Sequence, residues 1–385
     1  LQFDGKRAKE IAEKISFPRL SGTEGEEKAR EFINNFVEDI GFTPEVEEFS
    51  FSLLPAEFFL KFSQIMVGLL CASALFLFNR FKLLSFIVAI VLIYIIIRST
   101  RWSSFIESLF DIKFFRIKSS NTFFKKVLHK NYPNVVFLAH YDSKSQTYPI
   151  ILRIVLNLAG LIFILFSIIL IVIGTIFDIN FSAQLLLIPG IFSLLPFLLL
   201  IFNFTHNKSP GAIDNASGVA VVLHLAEILK ECDCKANLYF LLTGAEELGL
   251  AGAIRFIQKH EVEFAKEKTF FINFDSIGKE GNLIMTARYG IPPFCSSKKL
   301  RFNLHEILNK RGVKFHDTYL PVGAALDSIP IGTRGYEAIT ISWGGVKKAG
   351  RSVHSKHDTA LNLSEETLKI TGEVALELLE KIMGN

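Results

Sequence analysis

The stretch Leu238-Tyr-Phe-Leu-Leu-Thr-Gly-Ala-Glu-Glu-Leu-Gly249 decides the fold class. Leu238–Thr243 is an uncharged run of strand-forming residues stopped by Gly244, the pattern of a strand buried on both faces. Glu246 and Glu247 follow at its carboxyl end, and Leu250–His260 then takes up helical periodicity. Outward from this unit, Val46–Ser52, Val135–Ala139, Phe270–Phe274 and Ala338–Ser342 predict further strands. Gly5–Ser16, Glu24–Ile40, Ser217–Glu231 and Leu300–Arg311 predict helices. Ser364, with Glu365 and Glu366 behind it, opens a last helix running to Met383. Strands alternating with helices imply an α/β fold: a three-layer domain with a mostly parallel central sheet. Such sheets bind ligands at the carboxyl ends of their strands.

Two blocks break this pattern, 58–98 and 150–204. Half of the 385 residues are hydrophobic and 21% are charged, less than the roughly 25% of an ordinary soluble domain. The excess sits in four uncharged stretches, Phe62–Asn79, Leu83–Ile97, Ile154–Phe177 and Asn180–Phe204. Each approaches the ~20 residues that cross a hydrocarbon core. Short turns at Arg80–Lys82 and Asp178–Ile179 join them in pairs. They predict two transmembrane helical hairpins, and so a multi-pass integral membrane protein with the lipid bilayer as a partner. The polar pieces 1–57, 99–149 and 205–385 then form one domain on one side of the membrane. Which side, and the oligomeric state, the sequence leaves open. The chain begins at Leu1, which also leaves open whether a segment precedes it.

A net charge of +4, from 42 basic and 38 acidic residues, with no basic stripe, excludes a nucleic-acid partner. Of four cysteines, Cys71 lies in an apolar run. Cys232 and Cys234 stand too close for an easy bridge and lack the second pair of a structural zinc site. No disulfide framework is expected.

The chemistry-bearing residues fall just past the predicted strands. His140 and Asp142 follow Val135–Ala139, Glu246 and Glu247 follow Leu238–Thr243, and Asp275 ends Phe270–Phe274. Asp214 immediately precedes a helix. His354 and Asp358 lie in the loop after Ala338–Ser342. Two histidines and several carboxylates at strand ends are the nitrogen and oxygen donors that suit zinc. Singly, each has a plainer reading as a surface pair or a turn cap. Their joint order on one α/β pattern does not.

These residues sit in motifs that resemble the co-catalytic di-zinc aminopeptidases of metallopeptidase clan MH, whose relatives include glutamate carboxypeptidase II and the glutaminyl cyclases. The motifs are Arg19-Leu-Ser-Gly-Thr-Glu-Gly25, His140-Tyr-Asp142, Pro210-Gly-Ala-Ile-Asp-Asn-Ala-Ser-Gly218, Ala245-Glu-Glu-Leu-Gly249, Asn273-Phe-Asp275 and His354-Ser-Lys-His-Asp-Thr359. The apolar hairpins have no counterpart in the soluble members, so the resemblance is to a membrane-anchored variant.

The resemblance implies two zinc ions. Asp214 bridges them, His140 and Asp275 complete one set, and Glu247 and His354 complete the other. It makes Glu246 the general base and Asp142 the carboxylate that orients His140. Spacing to Asp358-Thr359 selects His354 over His357. Asp327, in Leu326-Asp-Ser-Ile-Pro330, resembles a segment near the family's substrate pocket. The function implied is a membrane-anchored zinc exopeptidase, an aminopeptidase, acting on peptide substrates. A glutaminyl cyclase-like acyltransferase and a non-catalytic membrane scaffold are the alternatives. The second hairpin is inserted between His140 and Asp214, so it is expected to root beside the cleft.

Overall fold

The computed structural model describes residues 1–99, 107–290, 292–320, 326–344 and 352–384. In chain order its elements begin with helices α1 (Gly5–Lys14) and α2 (Glu24–Asp39), strand β1 (Glu45–Ser52), and helices α3 (Leu60–Phe76) and α4 (Lys82–Ser99). Strands β2 (Arg116–Lys126), β3 (Asn134–His140) and β4 (Ser145–Gln146) come next. Helices α5 (Ile150–Ile176) and α6 (Ala183–Leu200) lead to β5 (Thr205–His206), α7 (Ser217–Leu229), β6 (Asn237–Thr243), α8 (Ala251–His260), β7 (Thr269–Ile277), β8 (Asn282–Tyr289) and β9 (Phe294–Cys295). The chain closes with α9 (Lys298–Arg311), β10 (Phe315–Leu320), α10 (Ser328–Gly332), β11 (Glu337–Gly344) and α11 (Glu365–Met383).

The main sheet runs β1-β2-β6-β3-β7-β11-β8-β10, with β9 on β8. Its centre, β6-β3-β7-β11, is parallel. Its flanks are not. β2 is antiparallel to β6 and to β1, and β8 to β11. The sheet is therefore mixed, which corrects the mostly parallel expectation. The cause at one flank is the short connection between β7 and β8, Gly278–Gly281, too short for the crossover a parallel partner requires.

Alternation along the central strands builds three layers. Val135, Phe137 and Ala139 of β3, with Leu238, Phe240 and Leu242 of β6, face a core shared with α1, α7 and α11. Val136, Leu138, Tyr239 and Leu241 face the opposite core, under Phe256 of α8 and Ile331 of α10. Ser364 occupies the position before α11 as expected, but its side chain makes no cap hydrogen bond.

The apolar blocks form α3 to α6, which pack on one another. Cys71, Leu75, Phe78, Leu92, Ile168 and Phe197 share one buried cluster. Gly68 lets α3 meet α6 closely: a Cβ there would lie 2.7 Å from the Ser193 carbonyl oxygen. Gln64 and Asn157 hydrogen-bond between α3 and α5 at 2.9 Å. On the outer faces Leu83, Ile162, Ile169 and Ile188 are over half exposed. Among the described residues, four helical segments are by length and composition apolar enough to cross a membrane: Leu54–Phe76, Ile150–Ile176, Ala183–Leu200 and Ala212–Leu229. The last is 89% buried in the three-layer core, so length and hydropathy alone do not single out a span in this chain.

Cys232 and Cys234 are disulfide-bonded, contrary to expectation, with their Cα atoms 5.3 Å apart, within bridging range. Cys71 and Cys295 are free.

Candidate active site

His140 ends β3, Glu246 and Glu247 follow β6, and Asp275 lies near the end of β7. These three parallel strands are neighbours in the sheet, which brings their carboxyl ends together. Asp214 is delivered by the turn before α7. Asp358 shapes that turn, accepting from the backbone N–H of Ile213 at 2.8 Å and of Asp214 at 3.1 Å. Asn215 ties it to β7: its Nδ2 donates to the Phe274 carbonyl at 2.8 Å, and its Oδ1 accepts from the Gly218 and Ser276 N–H groups. Gly211 has φ +60, and a Cβ there would lie 2.5 Å from that of Ser143. Only glycine fits both the conformation and the space.

Asp142 holds the other loop. Its carboxylate accepts from Ser21 Oγ at 3.0 Å and from the backbone N–H of Glu246 and Glu247 at 3.1 and 3.2 Å. The Nδ1 of His140 lies 3.2 Å from the Asp142 carbonyl and 3.4 Å from its carboxylate. One side chain thus orients His140 and fixes the two glutamates. Ala245, Ser276 and His354, each a site residue or next to one, are non-glycine residues at positive φ. Backbone strain of this kind collects at functional sites.

Asp214 presents its two oxygens to the two histidines. Oδ1 lies 3.1 Å from His140 Nε2 and Oδ2 lies 3.0 Å from His354 Nε2. His140, Asp214 and Asp275 form one triad of possible metal ligands, and Asp214, Glu247 and His354 a second, with Asp214 common to both. His140 Nε2 and Glu247 Oε1 are buried without a hydrogen-bond partner. Orphaned donor atoms at the shared edge of two triads, with an oxygen- and nitrogen-rich ligand set, suit two zinc ions.

Burial among like charges sets the electrostatics. Burial raises Glu246 well above the usual carboxylate range, and Glu247, Asp275 and Asp327 add to it. Burial also pushes Asp275 up to about 7 and Asp358 to about 7. Glu247 goes the other way: burial would raise it, but His354 and the Lys144 ammonium hold it at about 2. Against burial, the two facing histidines keep Asp214 far below the usual range.

Every ligand expected from the sequence is brought together here, as are Glu246 and Asp142. Asp327 is fully buried; one of its carboxylate oxygens accepts a hydrogen bond from Thr243 Oγ1 and the other, Oδ1, has no hydrogen-bond partner. Sequence reasoning passed over the structural part of Asp358, and it gave no part to Arg153 in the first turn of α5. Arg153 Nη2 lies 2.7 Å from His354 Nδ1. The base of the second apolar hairpin does reach the site.

The two triads, meeting at Asp214, make a site that can hold two zinc ions. The family model described as Peptidase family M28 matches residues 200–379. The aminopeptidase YwaD of Bacillus subtilis is 27% identical over 172 residues, 43% of this chain and 36% of that protein. An aminopeptidase of Pseudomonas aeruginosa is 28% identical over 182 residues, 42% of this chain and 34% of its own length. The chain thus spans about a third of the curated relatives it matches. Among solved structures, an aminopeptidase from Aneurinibacillus sp. strain AM-1 matches with TM-score 0.59 at 14% identity, covering 99% of this chain and 94% of that one. A glutaminyl cyclase from an Acidobacteriales bacterium matches with TM-score 0.57 at 15% identity, covering 100% and 96%.

These matches correct the membrane part of the expectation. They cover 99% or more of the chain, so α3 to α6 fall within the extent of a match to peptidase and cyclase structures. The membrane-anchored variant, the two transmembrane hairpins, the multi-pass location and the bilayer as partner are not retained. The apolar helices are instead described by their mutual packing.

Proposed function

We propose that this protein is a zinc-dependent aminopeptidase hydrolysing N-terminal peptide bonds, its peptidase unit drawn from 1–57, 99–149 and 205–385. The observation that carries this is Asp214, whose two oxygens face a histidine of each triad. Two zinc ions held there would supply the Lewis acid that polarises a carbonyl and acidifies water, and their charge would favour ionised Glu246.

The chain's own groups do the rest. Glu246, buried on the fixed loop after β6, takes the proton of the attacking water at its carboxylate and returns it to the leaving amine. Asp142 keeps Glu246, Glu247 and His140 in register through the contacts described above. Asp358 holds Asp214 by its backbone, so the shared carboxylate need not reorganise during turnover.

The glutaminyl cyclase reading keeps some support from the fold matches, yet a likeness at 15% identity speaks to fold alone. The sequence relatives named above are aminopeptidases. A digest of unblocked and N-terminal Gln peptides by the purified protein, with and without chelator, separates the two. The proposal expects free amino acids released from N-termini and lost on chelation. Ammonia release from Gln peptides without chain shortening would replace it with the cyclase reading.

A further inference from the structure

Resting on the di-zinc reading, we propose that Arg153 and Lys144 act as a cationic lock on the second triad. In consequence Asp214, Glu247 and His354 take an ion more weakly than His140, Asp214 and Asp275, and the two positions fill in sequence.

The two triads differ in what stands behind their ligands. Behind His140 are acceptors, the carbonyl and carboxylate of Asp142. A histidine that gives Nε2 to a metal carries its proton on Nδ1 and donates it to such an acceptor. Behind His354 stands a donor. Arg153 Nη2 lies 2.7 Å from His354 Nδ1, and a guanidinium can only donate. As found, Nδ1 of His354 is therefore the acceptor. A neutral ring holding an ion through Nε2 would face Arg153 donor to donor, so the guanidinium has to withdraw for the ion to be held.

Glu247 repeats the arrangement. Lys144 Nζ lies 3.0 Å from Glu247 Oε2 and donates to the Glu247 carbonyl at 2.7 Å. An ion entering the second triad must share that carboxylate with a buried ammonium. Around the first triad the neighbouring groups are carboxyls: Asp142 and Glu246 lie 3.4 and 3.9 Å from the His140 ring nitrogens, and Asp327 lies behind Thr243. Charges in a water-poor site act strongly, so the first triad attracts an ion and the second resists one. Arg153 Nε is buried without a partner, and the residue sits in the first turn of α5, outside the three-layer core.

The test is a calorimetric titration of the full chain, stripped by chelator, with zinc alone. The wild type is expected to bind in two steps whose dissociation constants differ by at least about tenfold. Arg153→Met and Lys144→Met should each tighten the second step by about tenfold and leave the first unchanged. Arg153→Lys, which keeps the charge, should keep the separation. Circular dichroism verifies folding, and with either Met variant misfolded the other decides. Two ions taken in one unresolved step, or Met variants whose second step is unchanged or weaker, overturn the lock alone. A wild-type chain that takes no zinc overturns the di-zinc reading as well.

Discussion

At the scale of single residues, the division of labour between Glu246 and Glu247 follows from what each one meets. Glu247 has a histidine and an ammonium against it and stays ionised. Glu246 is driven towards its neutral form by burial, with the carboxylates of Glu247, Asp275 and Asp327 adding to it against His140. Neighbours in sequence are thereby split into a ligand and a proton carrier. Glu246→Gln is expected to keep its zinc and to lose turnover by ~10²–10⁴-fold, read by metal analysis and initial rates on one peptide. Wild-type turnover in that variant would remove Glu246 from the mechanism. His140, Glu247 and Asp275 were legible because each stands where an apolar strand stops, and Asp214 and His354 because of the motifs around them. Asp358 was legible only as a residue of the final motif. Its hold on the Asp214 turn depends on a contact across more than a hundred residues, which no local pattern encodes. Arg153 was hidden for a different reason, since it reads as the polar flank of an apolar helix.

Among elements, the strands read correctly are four whose two faces are apolar and one, β1, whose residues alternate. Strands β3, β6, β7 and β11 form the centre of the sheet, and their hydropathy announces it. Strand β2 escaped notice because four of the six positions it buries are polar. Ser119, Ser120, Asn121 and Thr122 are all buried. Ser119 Oγ donates to Glu26, Asn121 Nδ2 donates to the Gly252 carbonyl and Thr122 Oγ1 to Asn34. Those contacts satisfy buried groups that hydropathy takes for a loop. Glu26 gives this packing a pH dependence. Burial lifts its carboxyl from 4.5 to about 7. Between those values the folded state holds more protons than the unfolded one, so this group's contribution falls as pH rises through that window. Glu26→Gln can still accept from the Gly22 N–H and donate to Ser119. Urea unfolding should show it matching the wild type near pH 5 and exceeding it at pH 8. A constant difference across that range would refute the assignment.

For the whole molecule, the metal centre joins segments far apart in the chain: β3, the turn before α7, the loops after β6 and β7, and His354. The carboxylates it gathers repel one another when no cation is present. Zinc bound only by the folded state stabilises it by ~2.7 kcal/mol at a hundred times its dissociation constant. Chelation should therefore lower the melting temperature by several degrees, and added zinc should restore it. A melting curve indifferent to chelator would detach the site from the fold's stability. The apolar blocks show where composition misleads at this scale. The segment that holds α7 is apolar and long enough to be taken for a span beside α5 and α6, yet it is core.

The central claim, a shared carboxylate holding two ions, is tested most directly by zinc content per chain for the wild type, Asp214→Ala and His354→Ala. With two triads meeting at Asp214, the account predicts two ions in the wild type, loss of both with Asp214→Ala, and loss of only the second with His354→Ala. Retention of two ions by Asp214→Ala would contradict it.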